Sequence, residues 1–293
     1  MPIVHEESSV VLGEIESALE RVIGERLRPA ILRDAAAYAA LGGGKRLRPM
    51  LAWRCCEAVG TEGSRSLPAG VAVELVHAFS LVHDDLPALD DDDLRRGRPT
   101  LHVHAGEAMA ILAGDALLAL AFEATTDAQA LDSSARLRLT RELAVGTSGM
   151  ISGQVYDTLG GFEPEQADLD RLETTHRGKT GALIRAACRM GGVCGEASAE
   201  HLESITAYAD AIGLMFQIVD DLIDATQSSE HVGKRTGKDQ AAGKRTYPGL
   251  LGLEGARDAA SRQHELARAA ARSLGDGGEP LAELADSLVA RTR

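Results

Sequence analysis

Two groups of aspartates, far apart in the chain, are set into apolar sequence. The first reads His83-Asp84-Asp85-Leu86-Pro87-Ala88-Leu89-Asp90-Asp91-Asp92-Asp93 and runs into Leu94-Arg95-Arg96-Gly97-Arg98; the second reads Phe216-Gln217-Ile218-Val219-Asp220-Asp221-Leu222-Ile223-Asp224. A carboxylate in apolar surroundings is costly unless something neutralises it. Oxygen-only clusters suit hard divalent cations, Mg²⁺ above all. On a helix Asp220 and Asp224 project from one face, where like charges repel, and Asp221 adds a third charge beside them. A cation relieves that repulsion. Pro87 disfavours helix at Leu86, so Asp84 and Asp85 close a helix and Asp90 returns on the loop. Asp90 to Asp93 alone reads equally well as a solvated acidic loop. Asp84 and Asp85 do not, because they end a run from Val71 to Val82 that should be buried.

The basic groups come in three sets. Gly42-Gly43-Gly44-Lys45-Arg46-Leu47-Arg48-Pro49 is glycine-rich and would let a phosphate approach the backbone. It is not a Walker A loop, since Ala39 stands where the first glycine belongs and Arg46 follows the lysine. Arg95 and Arg96 can fork onto phosphate oxygens. Gly233-Lys234-Arg235-Thr236-Gly237-Lys238-Asp239, with Lys244 beyond, is the third set. Each alone is an ordinary charged run. Together with two acidic clusters they point to a pocket for two phosphorylated substrates held through metal ions.

These groups must be positioned by helices. Alanine, leucine, arginine and glutamate dominate. Helical periodicity runs through Ile15 to Leu27, Leu51 to Val59, Ala69 to Val82, Leu169 to Met190 and Leu202 to Asp224. No stretch sustains the alternation of a strand. Glycine-rich breakers separate the helices, and Gly275 to Glu279 is expected to be a mobile surface turn. No linker divides the chain. The expectation is a single all-α domain over residues 1–293, a bundle of about ten or more helices around a central cavity.

Composition narrows the classes. The 293 residues carry a net charge of −13, which argues against a broad nucleic-acid or anionic-membrane surface. Met1 to Glu20 lacks the pattern of a signal peptide. Ala108 to Phe122, the most apolar stretch, contains Asp115 and reads as too short to span a bilayer. A soluble cytoplasmic protein without stable membrane association is expected. Cys55, Cys56, Cys188 and Cys194 form no CxxC pair and read as buried free thiols. His102 and His104 make a lone HxH, which reads as local packing, since zinc needs further ligands.

The chain resembles the trans-isoprenyl diphosphate synthases, and most resembles the bacterial farnesyl diphosphate synthases. The likeness runs from about Ala36 to Glu254. It rests on Gly43-Gly44-Lys45-Arg46-Leu47-Arg48-Pro49, Glu74-Leu75-Val76-His77, the aspartate run ending Leu94-Arg95-Arg96-Gly97, Gly153-Gln154, Lys179-Thr180-Gly181, Phe216 to Asp221, and Thr246-Tyr247-Pro248 through Glu254. The resemblance implies the isoprenoid synthase fold, a homodimer, and isopentenyl and allylic diphosphates as substrates. It implies that Lys45, Arg48, His77 and Arg96 hold isopentenyl diphosphate, and that Arg95, Lys179, Lys234 and Lys244 grip the allylic diphosphate. Asp84, Asp90 and Asp220 would ligate three substrate-bridged Mg²⁺ ions, with Asp85, Asp221 and Asp224 as inner or supporting partners. Thr180 and Gln217 would turn oxygens toward an allylic cation. The chemistry implied is ionisation, condensation and proton loss. Ser152 and Tyr156 depart from the family pattern and could reshape the cavity wall.

Phe79 lies five residues before Asp84, roughly 7–8 Å deeper along the helix. On sequence alone it reads as an ordinary core residue; the resemblance to the family implies instead that such an aromatic floor, with small Ser80 beside it and the Pro87-Ala88 insertion, goes with a fifteen-carbon product, farnesyl diphosphate. A geranylgeranyl diphosphate synthase is the rival within the family. A terpene cyclase has no use for Gly43 to Pro49 or the second aspartate motif, and a non-catalytic subunit of a heteromeric synthase would have lost aspartates that are complete here.

Overall fold

The computed structural model describes residues 2–230 and 245–292. Lys234, Lys244 and the basic run around them lie outside the described residues. The fold is all-α, as expected of an isoprenoid synthase. The chain divides into two compact units: residues 1–144 with 189–196, and residues 145–188 with 197–293.

In the first unit α1 (Pro2–Arg26), α2 (Ala30–Ala40), α3 (Leu47–Glu57), α4 (Leu67–Asp84), α5 (Leu101–Ala105) and α6 (Glu107–Thr126) are followed by the start of α7 (Ser133–Thr158). Helix α4 is central. Its residues Val71 to Val76 are all buried, so it is enclosed around its circumference. Val82 at its end packs with Ala35, Leu101, Ala110 and Ala113. Gly114 on α6 has no room for a side chain, because His83 occupies the space a Cβ would need. Among the described residues one small exception to the helical expectation appears. Leu94–Arg95 and Arg98–Pro99 form an antiparallel hairpin pairing Leu94 with Pro99 and Arg95 with Arg98. Its turn residues Arg96 and Gly97 both have positive φ, 53° and 74°, the geometry that matches the twist of a two-residue hairpin. A hairpin of this length carries no alternation for a sequence pattern to register.

The second unit holds the rest of α7, α8 (Asp168–His176), most of α9 (Ala182–Cys194), α10 (Ala199–Glu230), α11 (Tyr247–Arg272) and α12 (Glu279–Val289). Leu214, Ile218 and Leu222 form one stripe on α10 at four-residue spacing and pack with Tyr247, Ala256, Ala259 and Ala260 of α11. The periodic run Leu169 to Met190 is interrupted by a π-helical turn, Arg177–Gly181. Gly275–Gly278 is a 3₁₀ turn at the surface, as expected: Gly275, Asp276 and Gly277 are exposed, and Gly278 alone is buried, where a Cβ would meet the Ala271 carbonyl.

Three spans are long and apolar enough to cross a membrane: Gly63–Asp84, Glu107–Thr126 and Ala199–Thr226. The apolar stretch at Ala108 to Phe122 is thus longer than it reads, because its helix continues through Thr126. Of the apolar 18-residue window within the first span 67 % is buried inside the protein, so its apolarity serves the core. The four cysteines are buried and free. The HxH is packing: His104 stacks on Tyr38 at 4.1 Å and His102 Nδ1 meets Thr100 Oγ1 at 3.1 Å.

Candidate active site

The glycine-rich basic loop turns Arg46 inward and leaves Lys45 toward solvent. Arg46 sits in the left-handed region, φ 47°, is 2 % exposed, and is held by Glu16 at 2.6 and 3.0 Å and by Glu74 at 2.7 Å. Two carboxylates around one guanidinium neutralise its burial. Lys45 is exposed and Arg48 half-buried. Arg48 Nε has no hydrogen-bond partner. Burial lowers the Arg48 pKa; Glu74 opposes that, and Arg96 adds to it. Arg96 is lowered likewise, by burial and by Arg46 and Arg95, against Glu74. It hydrogen-bonds the Gly43 carbonyl, and a Cβ on Gly44 would lie 2.7 Å from its Nη1. Gly44 therefore makes room for Arg96, a use for that glycine besides phosphate approach.

His77 lies one helical turn past Glu74. Burial holds its pKa well below the usual histidine value, and the positive charges of Arg48, Arg96, Arg95 and Arg46 push the same way. Both causes favour the neutral imidazole. Its helical neighbour Ser80 turns its Oγ back to the His77 carbonyl at 2.9 Å. Arg48, His77 and Arg96 thus share a patch where cations repel each other, the electrostatics of a receiver for an anion.

At the end of α4 the aspartates divide. Asp85 is 3 % exposed and is gripped by Arg95 through Nε at 2.8 and 2.9 Å and Nη2 at 2.6 Å. The hairpin brings Arg95 back for this. Asp84 is half-buried, and the Asp90 N–H donates to the Asp84 carbonyl at 2.9 Å, folding the loop over the helix end. Asp90, Asp91 and Asp93 are exposed. Phe79 is buried and meets His83 edge-on at 5.0 Å.

In the second unit the π-helical turn carries Lys179 and Thr180. Extra-wide turns of this kind often mark functional sites. Gly153 of α7 touches the backbone of Gly178 and Lys179, where no Cβ fits, which explains the glycine of Gly153-Gln154. Lys179 Nζ donates to Asp157 at 2.7 Å. Thr180 is buried, and α10 passes so close that a Cβ on Gly213 would lie 2.9 Å from the Gly181 α-carbon. Gln217 follows one turn along α10 and is half-buried. Asp220 has Arg291 at 3.4 Å. Asp221 accepts from the Tyr247 N–H at 2.9 Å and has His176 Nε2 at 3.5 Å. Asp224 is exposed. Ser152 bonds back to the Ser148 carbonyl, and Tyr156 stacks on Phe162 at 4.8 Å.

Among the described residues no three His, Cys, Asp or Glu side chains converge as a ready-made cation cage. The donor set nevertheless fits Mg²⁺. That ion keeps several waters and takes one or two carboxylates plus substrate phosphates, and so does not need a full protein cage. In the first unit Asp84 and Asp90, and in the second Asp220 and Asp224, are oxygen donors of that kind, Asp220 with Arg291 beside it; Asp85 is bound by Arg95 and Asp221 by the Tyr247 amide.

Several participants escape a reading of the sequence. Arg46 and Glu74 form the buried pair beneath the basic loop, Asp157 holds Lys179, and Arg291 approaches Asp220. Asp157 had a signal, an acid closely following Gly153-Gln154. Arg291 had none.

Residues 29–276 match the family model described as polyprenyl synthetase. Geranylgeranyl pyrophosphate synthase 11, chloroplastic, of Arabidopsis thaliana is 46 % identical over 272 residues, 90 % of this chain and 75 % of that protein. Geranylgeranyl pyrophosphate synthase 12, chloroplastic, of the same organism is 47 % identical over 251 residues, 84 % of this chain and 69 % of that one. Among solved structures, an FPP/GFPP synthase from Zymomonas mobilis aligns with a TM-score of 0.83 and 36 % identity, covering 97 % of this chain and 99 % of its own.

Proposed function

The chain belongs to the polyprenyl synthetase family, and on that premise we propose that it joins isopentenyl diphosphate head-to-tail to allylic diphosphates and releases geranylgeranyl diphosphate, twenty carbons long. The observation that carries the product length is the 46 to 47 % identity with relatives named geranylgeranyl pyrophosphate synthases.

The residue roles are those that the resemblance to the family implies. Arg48, Arg96 and Lys45 receive the diphosphate of isopentenyl diphosphate, with neutral His77 as a hydrogen-bonding partner and not a further cation. Lys179 and Arg95 meet the allylic diphosphate, with Lys234 and Lys244 assigned to the same group. Asp84, Asp90 and Asp220 carry Mg²⁺, supported by Asp85, Asp221 and Asp224. Bound magnesium supplies neutralisation of charge on the departing diphosphate. Thr180 and Gln217 present oxygens to the developing allylic cation. Apolar walls keep water from that cation. No side chain acts as a dedicated base: the proton lost after condensation leaves on the diphosphate.

Ile111 and Leu112, exposed and adjacent on α6, support a homodimer as apolar surface that a second copy would cover. Four reduced, buried cysteines support the cytoplasm as the compartment.

A second reading is farnesyl diphosphate. It is favoured by buried Phe79, one helical turn and more before Asp84. The edge contact with His83 gives Phe79 an ordinary packing role as well, so the likeness to the named relatives is the stronger support. Labelled isopentenyl diphosphate offered with dimethylallyl, geranyl and farnesyl diphosphate separates the two. Twenty-carbon product from each starter supports the proposal; accumulation of fifteen-carbon product with no use of farnesyl diphosphate overturns it.

A further inference from the structure

The second aspartate motif has three carboxylates within five residues, and nothing in their spacing distinguishes their duties. Their surroundings do. Helix α11 begins at Tyr247, and its first turn has its amides accounted for one by one. Pro248 has none. The Gly249 amide donates to the side chain of Thr246, the residue capping the helix, at 3.2 Å. The Tyr247 amide is left without an acceptor in its own segment and donates at 2.9 Å to Oδ2 of Asp221 on α10. A carboxylate there also faces the positive end of the α11 dipole.

A second group lies beside Asp221 without a hydrogen bond to it. The Tyr247 ring, 1 % exposed, stacks on His176 at 5.9 Å, and the Tyr247 hydroxyl donates to Glu173 at 3.1 Å. His176 Nε2 lies 3.5 Å from Asp221 Oδ2. Three elements therefore meet on one carboxylate: the end of α8, the middle of α10 and the start of α11.

We propose that Asp221 is a positioning residue, its carboxylate capping the first amide of α11 so that α10 presents Asp220 and Asp224, and that Tyr247, His176 and Glu173 form the cluster that keeps it there. It rests on the proposal that Asp220 binds a magnesium-held diphosphate. Asp221 does not ligate the metal. Its capping oxygen is needed, and its negative charge is secondary.

Substitution separates the two duties. Asp221→Asn keeps a side-chain oxygen for the Tyr247 amide and gives up the charge; Asp221→Ala gives up both; Asp220→Asn removes a proposed metal ligand. The readout is calorimetric binding of Mg²⁺ with inorganic diphosphate to the full chain, alongside its melting temperature. Asp221→Asn should bind within about threefold of wild type, since asparagine caps a helix as well as aspartate. Asp221→Ala should bind about tenfold or more weakly, the usual scale for losing a supporting partner of a metal ligand. Asp220→Asn should lose binding outright while melting near wild type. If Asp221→Asn loses binding as completely as Asp220→Asn, Asp221 is a ligand and the proposal is wrong. Equal binding by wild type and Asp221→Ala overturns it from the other side. Should Asp221→Ala not fold, Asp221→Asn against Asp220→Asn still decides. Prenyl transfer by the wild type is measured separately, so an inactive wild type counts against the proposed function and not against the role of Asp221.

Discussion

The two aspartate motifs solve the same electrostatic problem with different material. In each, the second aspartate of an adjacent pair is engaged by the protein. Asp85 is matched by a full positive charge, the Arg95 fork carried back by a two-strand hairpin. Asp221 is matched by a peptide dipole, the first amide of α11, with His176 nearby. The reason lies in burial. Asp85 is nearly enclosed, with 5 % of its side chain exposed, and needs a counter-charge; Asp221 keeps 16 % and can be held by a neutral donor. A pair of adjacent acids thus divides its work: the second is the more buried and is bound by a backbone amide or an arginine fork, while the first keeps more of its side chain accessible, Asp220 at 38 % against 16 % for Asp221.

The comparison breaks first at the outward aspartates. Asp84→Ala and Asp220→Ala should each lower turnover by roughly two orders of magnitude or more, the scale of losing a group that stabilises developing charge. Near-normal steady-state rates in both variants would remove the metal assignment from either motif. Next come the inward partners. Arg95→Ala leaves Asp85 buried without its counter-charge and should cost about 3 kcal/mol in denaturant unfolding. Arg95→Lys should recover only part of that, since an ammonium cannot fork across both oxygens. If Arg95→Ala melts like wild type, the pair is not what holds the end of α4.

Smaller, selective effects should separate the basic groups. Arg48→Ala should raise KM for isopentenyl diphosphate by about tenfold, corresponding to one charge-assisted hydrogen bond. Lys179→Ala should act mainly on the allylic substrate. Steady-state kinetics with each substrate varied in turn would refute the division if the selectivity came out reversed.

The smallest effect is the pH dependence carried by His77. Its folded pKa lies below the ordinary value, so below about pH 6.5 the unfolded chain binds a proton that the folded one does not. Stability should therefore fall as pH drops through that value and should be level above it. In His77→Gln that part of the slope should vanish. Melting temperatures of the two proteins between pH 5 and 8 check this, and parallel curves would refute it.

Much of this was legible in the sequence for a physical reason. Helices long enough to bury a stripe announce themselves by period, as Leu214, Ile218 and Leu222 do. The acidic motifs are legible because charge in apolar sequence demands an explanation. The hairpin at Leu94–Pro99 is too short to carry a period. The π-helical turn at Arg177–Gly181 is hidden inside one continuous helical pattern. Partners distant in sequence are silent too. That Asp221 serves an amide 26 residues away, and Asp157 a lysine 22 away, follows from tertiary packing alone. Which aspartate of a pair faces inward depends on where Arg95 and Tyr247 arrive, and the spacing of the pair says nothing of that.

The central claim is prenyl transfer to twenty carbons with both outward aspartates in use. Its most direct test is a single assay of the purified wild type with Mg²⁺, radiolabelled isopentenyl diphosphate and dimethylallyl diphosphate, the products dephosphorylated and sized by chromatography. The account predicts geranylgeraniol as the main product and no labelled product in excess EDTA. Label remaining entirely in isopentenyl diphosphate with Mg²⁺ present, or full turnover in EDTA, would contradict it.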